Sequence, residues 1–275
     1  MHKQVFGSVA EMIEACDAAF KAGRRRRTDD KLRGEGYWIG REFSGWADVV
    51  RKAGEVWPEG VALVEGMLDG LRDAAGGVRP KSRVRKSRWS PDDGDEIDND
   101  RLRAGQDYWR QTVREERDAP QTLVIVFSFT TSSSRDSEEV LWRGAAAIIL
   151  ADLLEAAGYR VELWAVNYCK TYDGGGYVDM RDALQAVRLK ASESPVDVAT
   201  LVNGVSGWFY RTVLFQSYHV IPVKTQEGLG HPVTITEETE IVRELAGNAR
   251  VVVIDNVWSR TAATAKVREV LDRMS

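Results

Sequence analysis

Cysteine and histidine are scarce in this chain, two of the first and three of the second in 275 residues. Cys16 and Cys169 stand far apart and form no short ligand spacing, which excludes a zinc-finger type of cluster and a disulfide-dense scaffold. The pair reads as reduced thiols in a cytosol-like compartment, with one long-range disulfide as the alternative. No apolar run approaches the ~20 residues that a membrane-crossing helix needs. The first residues carry Glu11, Glu14 and Asp17 among apolar positions, unlike a cleaved secretory leader. A cytoplasmic protein without a membrane partner is the expectation. Nucleotide and hydrolase signatures are missing too. There is no Walker A sequence, Gly204-Val-Ser-Gly-Trp208 has the wrong spacing for a nucleophile elbow, and Gly34-x-Gly36-x-x-x-Gly40 misses the dinucleotide fingerprint by one residue.

What is present is an ordinary globular composition, 43% hydrophobic and 29% charged, with a formal net charge of −4. A mildly acidic whole argues against indiscriminate polyanion binding. Tryptophan is the one surplus, nine residues, with Trp38, Trp46, Trp57, Trp89 and Trp109 crowding the first 110 positions. They supply apolar bulk where other large hydrophobic residues are few.

The chain divides near residue 120, into a helical and irregular, Trp-rich region over 1–119 and an α/β domain over 120–275. In the first region Val9, Met12, Ile13, Cys16 and Ala19 place one amphipathic helix over Met1–Gly23. Helices follow over about Ser44–Val56 and Pro58–Ala75, the second started by Pro58 and stopped by Gly76-Gly77. A basic stretch, in which Lys81, Arg83 and Arg85 alternate as on an extended strand, is followed by six acidic residues between Asp92 and Asp100. Arg101–Arg117 is expected to be helical.

In the second region Leu123–Phe129 is a strand, and its unbroken apolar run Leu123-Val-Ile-Val-Phe127 implies cover on both faces. A Thr/Ser loop over 130–134, a helix over about Ser137–Ala157 ended by Gly158, and a strand over Tyr159–Val166 complete a βαβ unit. Beyond it, Asp182–Lys190 is a strand or, alternatively, a helix. Val196–Gln216 is a helix interrupted by Gly204 and Gly207, Val251–Ile254 a strand, and Ser259–Met274 a helix. The fold class is α/β, Rossmann-like, with a largely parallel sheet and helices on both faces.

In such sheets ligands gather at the carboxyl ends of strands. Two strand ends are polar here, Ser128–Ser134 and Asp255-Asn256. The hydroxyl cluster suits capping of the next helix, with Ser134 or Asp136 as N-cap and Glu138 or Glu139 in the first turn. The sharper alternative is a metal ion or phosphate held by hydroxyls and helix N–H groups.

On these residues, Gln121–Ser275 resembles a von Willebrand factor A (vWA)-type domain: strand, hydroxyl-rich loop, long helix, then a Gly-Tyr-Arg-Val-Glu strand. That family commonly carries Asp-x-Ser-x-Ser after its first strand, and the loop holds a divalent ion that completes its coordination with a partner's acidic group. The matching positions read Ser128-x-Thr130-x-Ser132. Both hydroxyl positions are kept and the carboxylate is replaced by Ser128, so the resemblance implies a degenerate metal-ion site (MIDAS), with Asp255 as the one carboxylate a neighbouring strand end could lend. The segments Trp57–Gly60 and Gly94–Asp98, and the helix spanning Gly144 and Gly158, also resemble uncharacterised proteins of phages and bacterial mobile elements.

The expectation is a non-enzymatic protein-binding or assembly module with a protein partner and no cofactor, in which Ser128, Thr130, Ser132 and Asp255 form a partner-binding loop or, alternatively, one that takes a divalent cation. The first alternative is a nucleic-acid binder using Arg24, Arg25, Arg26, Arg27, Lys81, Arg83, Arg85, Lys86 and Arg88 on phosphates, with Trp38 or Trp89 stacking on a base. The second is a metal-assisted hydrolase using Asp255. His219 or His231 beside Asp255 and a serine of 132–134 would form its nucleophilic variant.

Overall fold

A strand without polar alternation is stable only when both of its faces are covered, and Leu123–Phe127 meets that condition. The computed structural model describes residues 2–24, 36–75, 87–112, 121–132, 134–172, 180–220 and 231–274. In chain order the elements are β1 (His2–Phe6), α1 (Val9–Lys21), α2 (Gly36–Ile39), α3 (Trp46–Ala53), α4 (Pro58–Ala75), β2 (Ser87–Ser90), β3 (Glu96–Ile97), α5 (Asn99–Arg103) and β4 (Trp109–Thr112). Then come β5 (Thr122–Ser128), α6 (Ser137–Ala156), β6 (Arg160–Tyr172), β7 (Met180–Lys190), α7 (Val198–Val205) and α8 (Gly207–Phe209). A π-helical turn (Tyr210–Leu214) leads into α9 (Phe215–Ser217), followed by β8 (His231–Pro232), α10 (Glu240–Ala246), β9 (Arg250–Ile254) and α11 (Arg260–Met274).

The main sheet has the order β1-β7-β6-β5-β9, with the short β8 against β6. β5 lies between β6 and β9 and is parallel to both. β7 runs antiparallel to β6, and β1 is parallel to β7. The protein is therefore α/β with a mostly parallel, mixed sheet. β7 settles the 182–190 alternative as a strand. A separate antiparallel sheet, β2-β4-β3, holds residues 87–112 together with α5.

Nearly all helices share one face. Residues of α1, α3, α4, α6, α7 and α11 join Leu123, Ile125 and Phe127 in one continuous core. The other face buries Val124, Val126, Trp164, Val166, Leu184 and Ala186 under Ile235 and α10. Helices on both faces were expected; among the described residues only the seven-residue α10 is buried against the second.

The expected boundary near 120 does not separate two cores, because Phe6, Met12, Cys16, Val64 and Leu68 pack into the same cluster as Leu123. The amino terminus is also not one helix. His2–Phe6 forms β1, and α1 begins only at Val9, where Ser8 Oγ accepts from Glu11 N at 3.1 Å and Glu11 accepts from Gly7 N at 2.7 Å. That Ser-x-x-Glu box is a helix-start signal visible in sequence. The helix expected over 101–117 is also corrected. α5 stops at Arg103, and Trp109–Thr112 pairs as β4 with β2 and β3. Residues 76–77 and 113–117 lie outside the described residues.

Two positions fix how closely α6 meets its neighbours. A Cβ on Gly144 would fall 2.4 Å from Val205 Cβ and 2.9 Å from its carbonyl oxygen, so α6 and α7 cross at a glycine. Gly40, at φ +86, would place a Cβ 2.7 Å from Ser137 Cβ. By contrast, Gly66 in α4 meets nothing within 4 Å. Gly144→Ala is accordingly expected to cost about 1–3 kcal/mol in urea unfolding through overpacking. Gly66→Ala should instead gain about 0.5–1 kcal/mol from helix propensity.

Candidate functional site

The parallel strands β5 and β9 end side by side, so the loop after Ser128 and the turn at Asp255-Asn256 face each other. The hydroxyls of the first loop are largely turned inward. Ser128 is 1% exposed, and its Oγ accepts from Thr130 N at 3.2 Å. Thr130 is buried too. Its Oγ1 accepts from Tyr168 N at 2.7 Å and donates to Asn167 Oδ1 at 3.2 Å. Asn167 Nδ2 in turn donates to Gln185 Oε1 at 2.7 Å and to Tyr218 Oη at 2.6 Å, and Tyr218 Oη meets Cys169 Sγ at 2.7 Å. Burial pushes the Tyr218 phenol well above its ordinary range, so it stays a neutral hydroxyl. Thr130 is thus the end of a buried polar layer that crosses β6 and β7. Among the described residues of the loop, Ser132 and Ser134 are exposed, 3.0 Å apart at their hydroxyls.

The helix N-terminus is closed as well. Asp136 is the N-cap of α6, accepting from Glu139 N at 2.7 Å, and Glu139 accepts from Asp136 N at 3.0 Å. Of the capping options, Asp136 with Glu139 is the pair formed. Two carboxylates at this end occupy the donors a phosphate would need, and they repel it.

A cation from the chain itself stands at the strand ends. The Arg143 guanidinium, on the second turn of α6, is 1% exposed. Its Nη1 donates to the carbonyl oxygens of Ser128 and, at 3.2 Å, of Thr130, and lies 3.9 Å from Asp255 Oδ1. The Trp258 ring centroid is 3.8 Å from Arg143 Cζ and 4.9 Å from Arg135 Cζ. Burial lowers the Arg143 pKa to about 10 against the opposing pull of Asp255, which leaves it charged at neutral pH. Its Nε and Nη2 are buried without a hydrogen-bond partner. Such donors cost about 1–3 kcal/mol each.

Asp255 is spoken for. Its Oδ2 accepts from Ile235 N at 2.9 Å and its Oδ1 from Asn256 N at 2.7 Å. A divalent ion does not fit this donor set. The guanidinium already takes the carbonyl oxygens of Ser128 and Thr130, and its charge repels a second cation. Among the described residues no group of three or more His, Cys, Asp or Glu side chains is arranged to hold a metal.

A second buried arginine lies close by. Arg211, in the π-helical turn, donates to Trp38 O and, at 2.6 Å, to Arg135 O, with its Cζ 4.4 Å from the Trp38 ring centroid. It ties the segment at α2 to the loop before α6. Neighbouring Tyr210 stacks on Phe129 at 5.6 Å, and its hydroxyl accepts from Thr131 N at 3.4 Å.

A protein-family model, described as Domain of unknown function (DUF7192), matches residues 2–275. The chain belongs to the DUF7192 family. Comparison with curated proteins and with solved structures returns no match. The match runs through the sequence-level boundary at 120, in keeping with a DUF7192 core that draws on both halves.

Of the residues singled out in sequence, the fold brings Ser128, Thr130, Ser132 and Asp255 to one end of the sheet, with the first two buried. The nucleic-acid set is different. Arg25, Arg26, Arg27, Lys81, Arg83, Arg85 and Lys86 lie outside the described residues, as does the Arg88 side chain. Arg24 is exposed and donates to Val220 O at 2.9 Å. The glycines at 174–176 and the His231 side chain also fall outside. Of the acidic run, Asp98 caps α5 by accepting from Asp100 N and Arg101 N at 3.0 Å, while Asp92, Asp93, Asp95, Glu96 and Asp100 are exposed. No described helix is long and apolar enough to cross a membrane.

Sequence reasoning passed over Arg135, Arg143, Arg211 and Trp258. A signal existed for two of them. Arg143 adjoins the eight-residue apolar run Gly144–Ala151, and Arg211 stands inside Trp208–Phe215, so each charge is set in a segment with no polar face. A paired substitution separates folding from surface roles at this site. Thr130→Val removes the hydrogen bonds of its hydroxyl with the Tyr168 amide and Asn167 Oδ1, and is expected to cost about 1–3 kcal/mol in chemical denaturation. Ser132→Ala should stay within about 0.5 kcal/mol of the parent.

Proposed function

We propose that the chain is a non-enzymatic protein-binding or assembly module on a vWA-like scaffold with a degenerate ion site. The docking face is the strand-end surface formed by Ser132, Ser134, Arg135 and Trp258. One observation carries this reading. The groups that could do chemistry at the strand ends, the Ser128 and Thr130 hydroxyls and the Asp255 carboxylate, are engaged by internal hydrogen bonds. What the same loops offer outward is a pair of serine hydroxyls beside a half-buried arginine and indole. Such a composition, a rigid aromatic and an arginine with small polar neighbours, is that of a recognition surface. The vWA-like assignment is supported by the order strand, hydroxyl loop, long helix and parallel strand over β5, α6 and β6.

The test uses the intact chain to isolate an interacting protein, which is then purified and re-bound. The Ser132→Tyr/Ser134→Tyr double variant places neutral bulk on the loop without touching the core. It should fold with an unchanged melting temperature and bind that partner at least about tenfold more weakly, ~1.4 kcal/mol. Equal affinity of parent and variant overturns the assignment.

A further inference from the structure

An arginine can grip a planar oxyanion with two parallel N–H bonds, and the edge that presents them side-on is formed by Nε and Nη2. In Arg143 that edge is the part left without partners, while Nη1 alone carries the contacts to Ser128 and Thr130. The guanidinium is held from several sides, by two carbonyl oxygens, the Trp258 ring and the backbone of a capped helix. Its fork is therefore fixed in place before any ligand arrives. Asp255 does not fill it, because the nearer approach of that carboxylate is to Nη1, at 3.9 Å, and both its oxygens hold backbone amides.

We propose that the Nε–Nη2 edge of Arg143 seats the carboxylate of an acidic side chain from a protein partner. The proposal rests on the protein-binding reading above and gives that partner its chemistry. A carboxylate suits the site better than a phosphate. One planar fork matches two oxygens, and the Asp255 carboxylate, 3.9 Å from Nη1, adds negative charge that a dianion would meet at greater cost. Both fork atoms are buried, so seating a ligand requires the cover to move. Trp258 is one element packed on this group, its ring lying against the guanidinium while itself only half-buried.

Isothermal titration calorimetry on the intact chain tests this, with hexaglutamate as the probe, hexaglutamine as the uncharged control and inorganic phosphate as the competing chemistry. Hexaglutamate should bind the parent, and hexaglutamine and phosphate at least about tenfold more weakly. Arg143→Lys keeps the charge but not the fork, and should lose about tenfold or more. A nitrogen–proton spectrum of the parent, following the Arg143 Nε–H resonance during the titration, does not depend on any variant folding, and that resonance should shift. Three results overturn the proposal: no hexaglutamate binding by the parent, an unmoved Arg143 Nε–H at saturation, or a preference for phosphate. If a purified partner binds in a manner sensitive to Ser132 and Ser134 while that resonance stays still, the fork assignment falls and the module reading stands. If the resonance shifts with hexaglutamate but partner binding ignores the loop, the module reading falls and the fork remains a carboxylate site.

Discussion

A guanidinium sealed in the core is the constraint around which this end of the molecule is arranged. Removing an ion such as Arg143 from water costs several kcal/mol even after relaxation, and the fold offsets that from three directions. The carbonyl oxygens of Ser128 and Thr130 accept from it, Asp255 lies within 4 Å, and the Trp258 face covers it. Those three contacts belong to β5, to the end of β9 and to the connection into α11, while the charge itself rides on α6. The loop after β5 takes its inward course because its carbonyls must meet this donor. A metal ion would make a comparable demand on the same oxygens, but would need a carboxylate where the chain has Ser128.

The second constraint is the polar layer from Thr130 through Asn167 to Gln185 and Tyr218. A strand that is apolar on both faces sets its register less sharply through hydrophobicity alone, whereas buried amides and hydroxyls must find partners at fixed positions. Asn167 on β6 and Gln185 on β7 are register partners as well as hydrogen-bond partners. Slipping the pair by one residue would turn Asn167 to the opposite face and strand its donors. We attribute to this layer the selection of a single register for β5, β6 and β7. Arg211 acts similarly at longer range, tying α2 to the loop before α6, so the amino-terminal segment is anchored to the same end of the sheet.

Much of the fold was legible in sequence because its dominant signals are periodic. The apolar run of β5, the long α6 with Gly158 behind it at φ +93, the paired strand β6 and the terminal α11 all follow from spacing and breakers. What escaped was carried by short or non-local pairings. β1 is five residues long and gains its stability from β7, far along the chain, so its pattern merges with the helix after it. β4 pairs within a small sheet whose residues, Trp109-Arg-Gln-Thr112, show no periodic signature. The site was half legible. The strand ends were located correctly by the polarity of Ser128–Ser134 and Asp255-Asn256. Hydroxyl pattern alone, however, could not tell that Ser128 and Thr130 point into the protein, since that depends on Tyr168 and Asn167, contributed by β6.

Arg143 also gives the loop after β5 its shape from within the chain. A bound ion and a buried arginine solve the same electrostatic problem, gathering carbonyl and carboxylate oxygens that would otherwise repel one another. They differ in regulation. An ion is exchangeable and answers to its concentration, whereas a side chain is present at fixed stoichiometry and cannot leave. A guanidinium is also directional, spending Nη1 on the protein while its Nε–Nη2 edge keeps two donors aligned. An uncharged Ser128 and the cation of Arg143 on α6 are therefore compatible neighbours at this strand end. Two carbonyl oxygens, Asp255 and the Trp258 ring hold the cation, and its fork stays unspent.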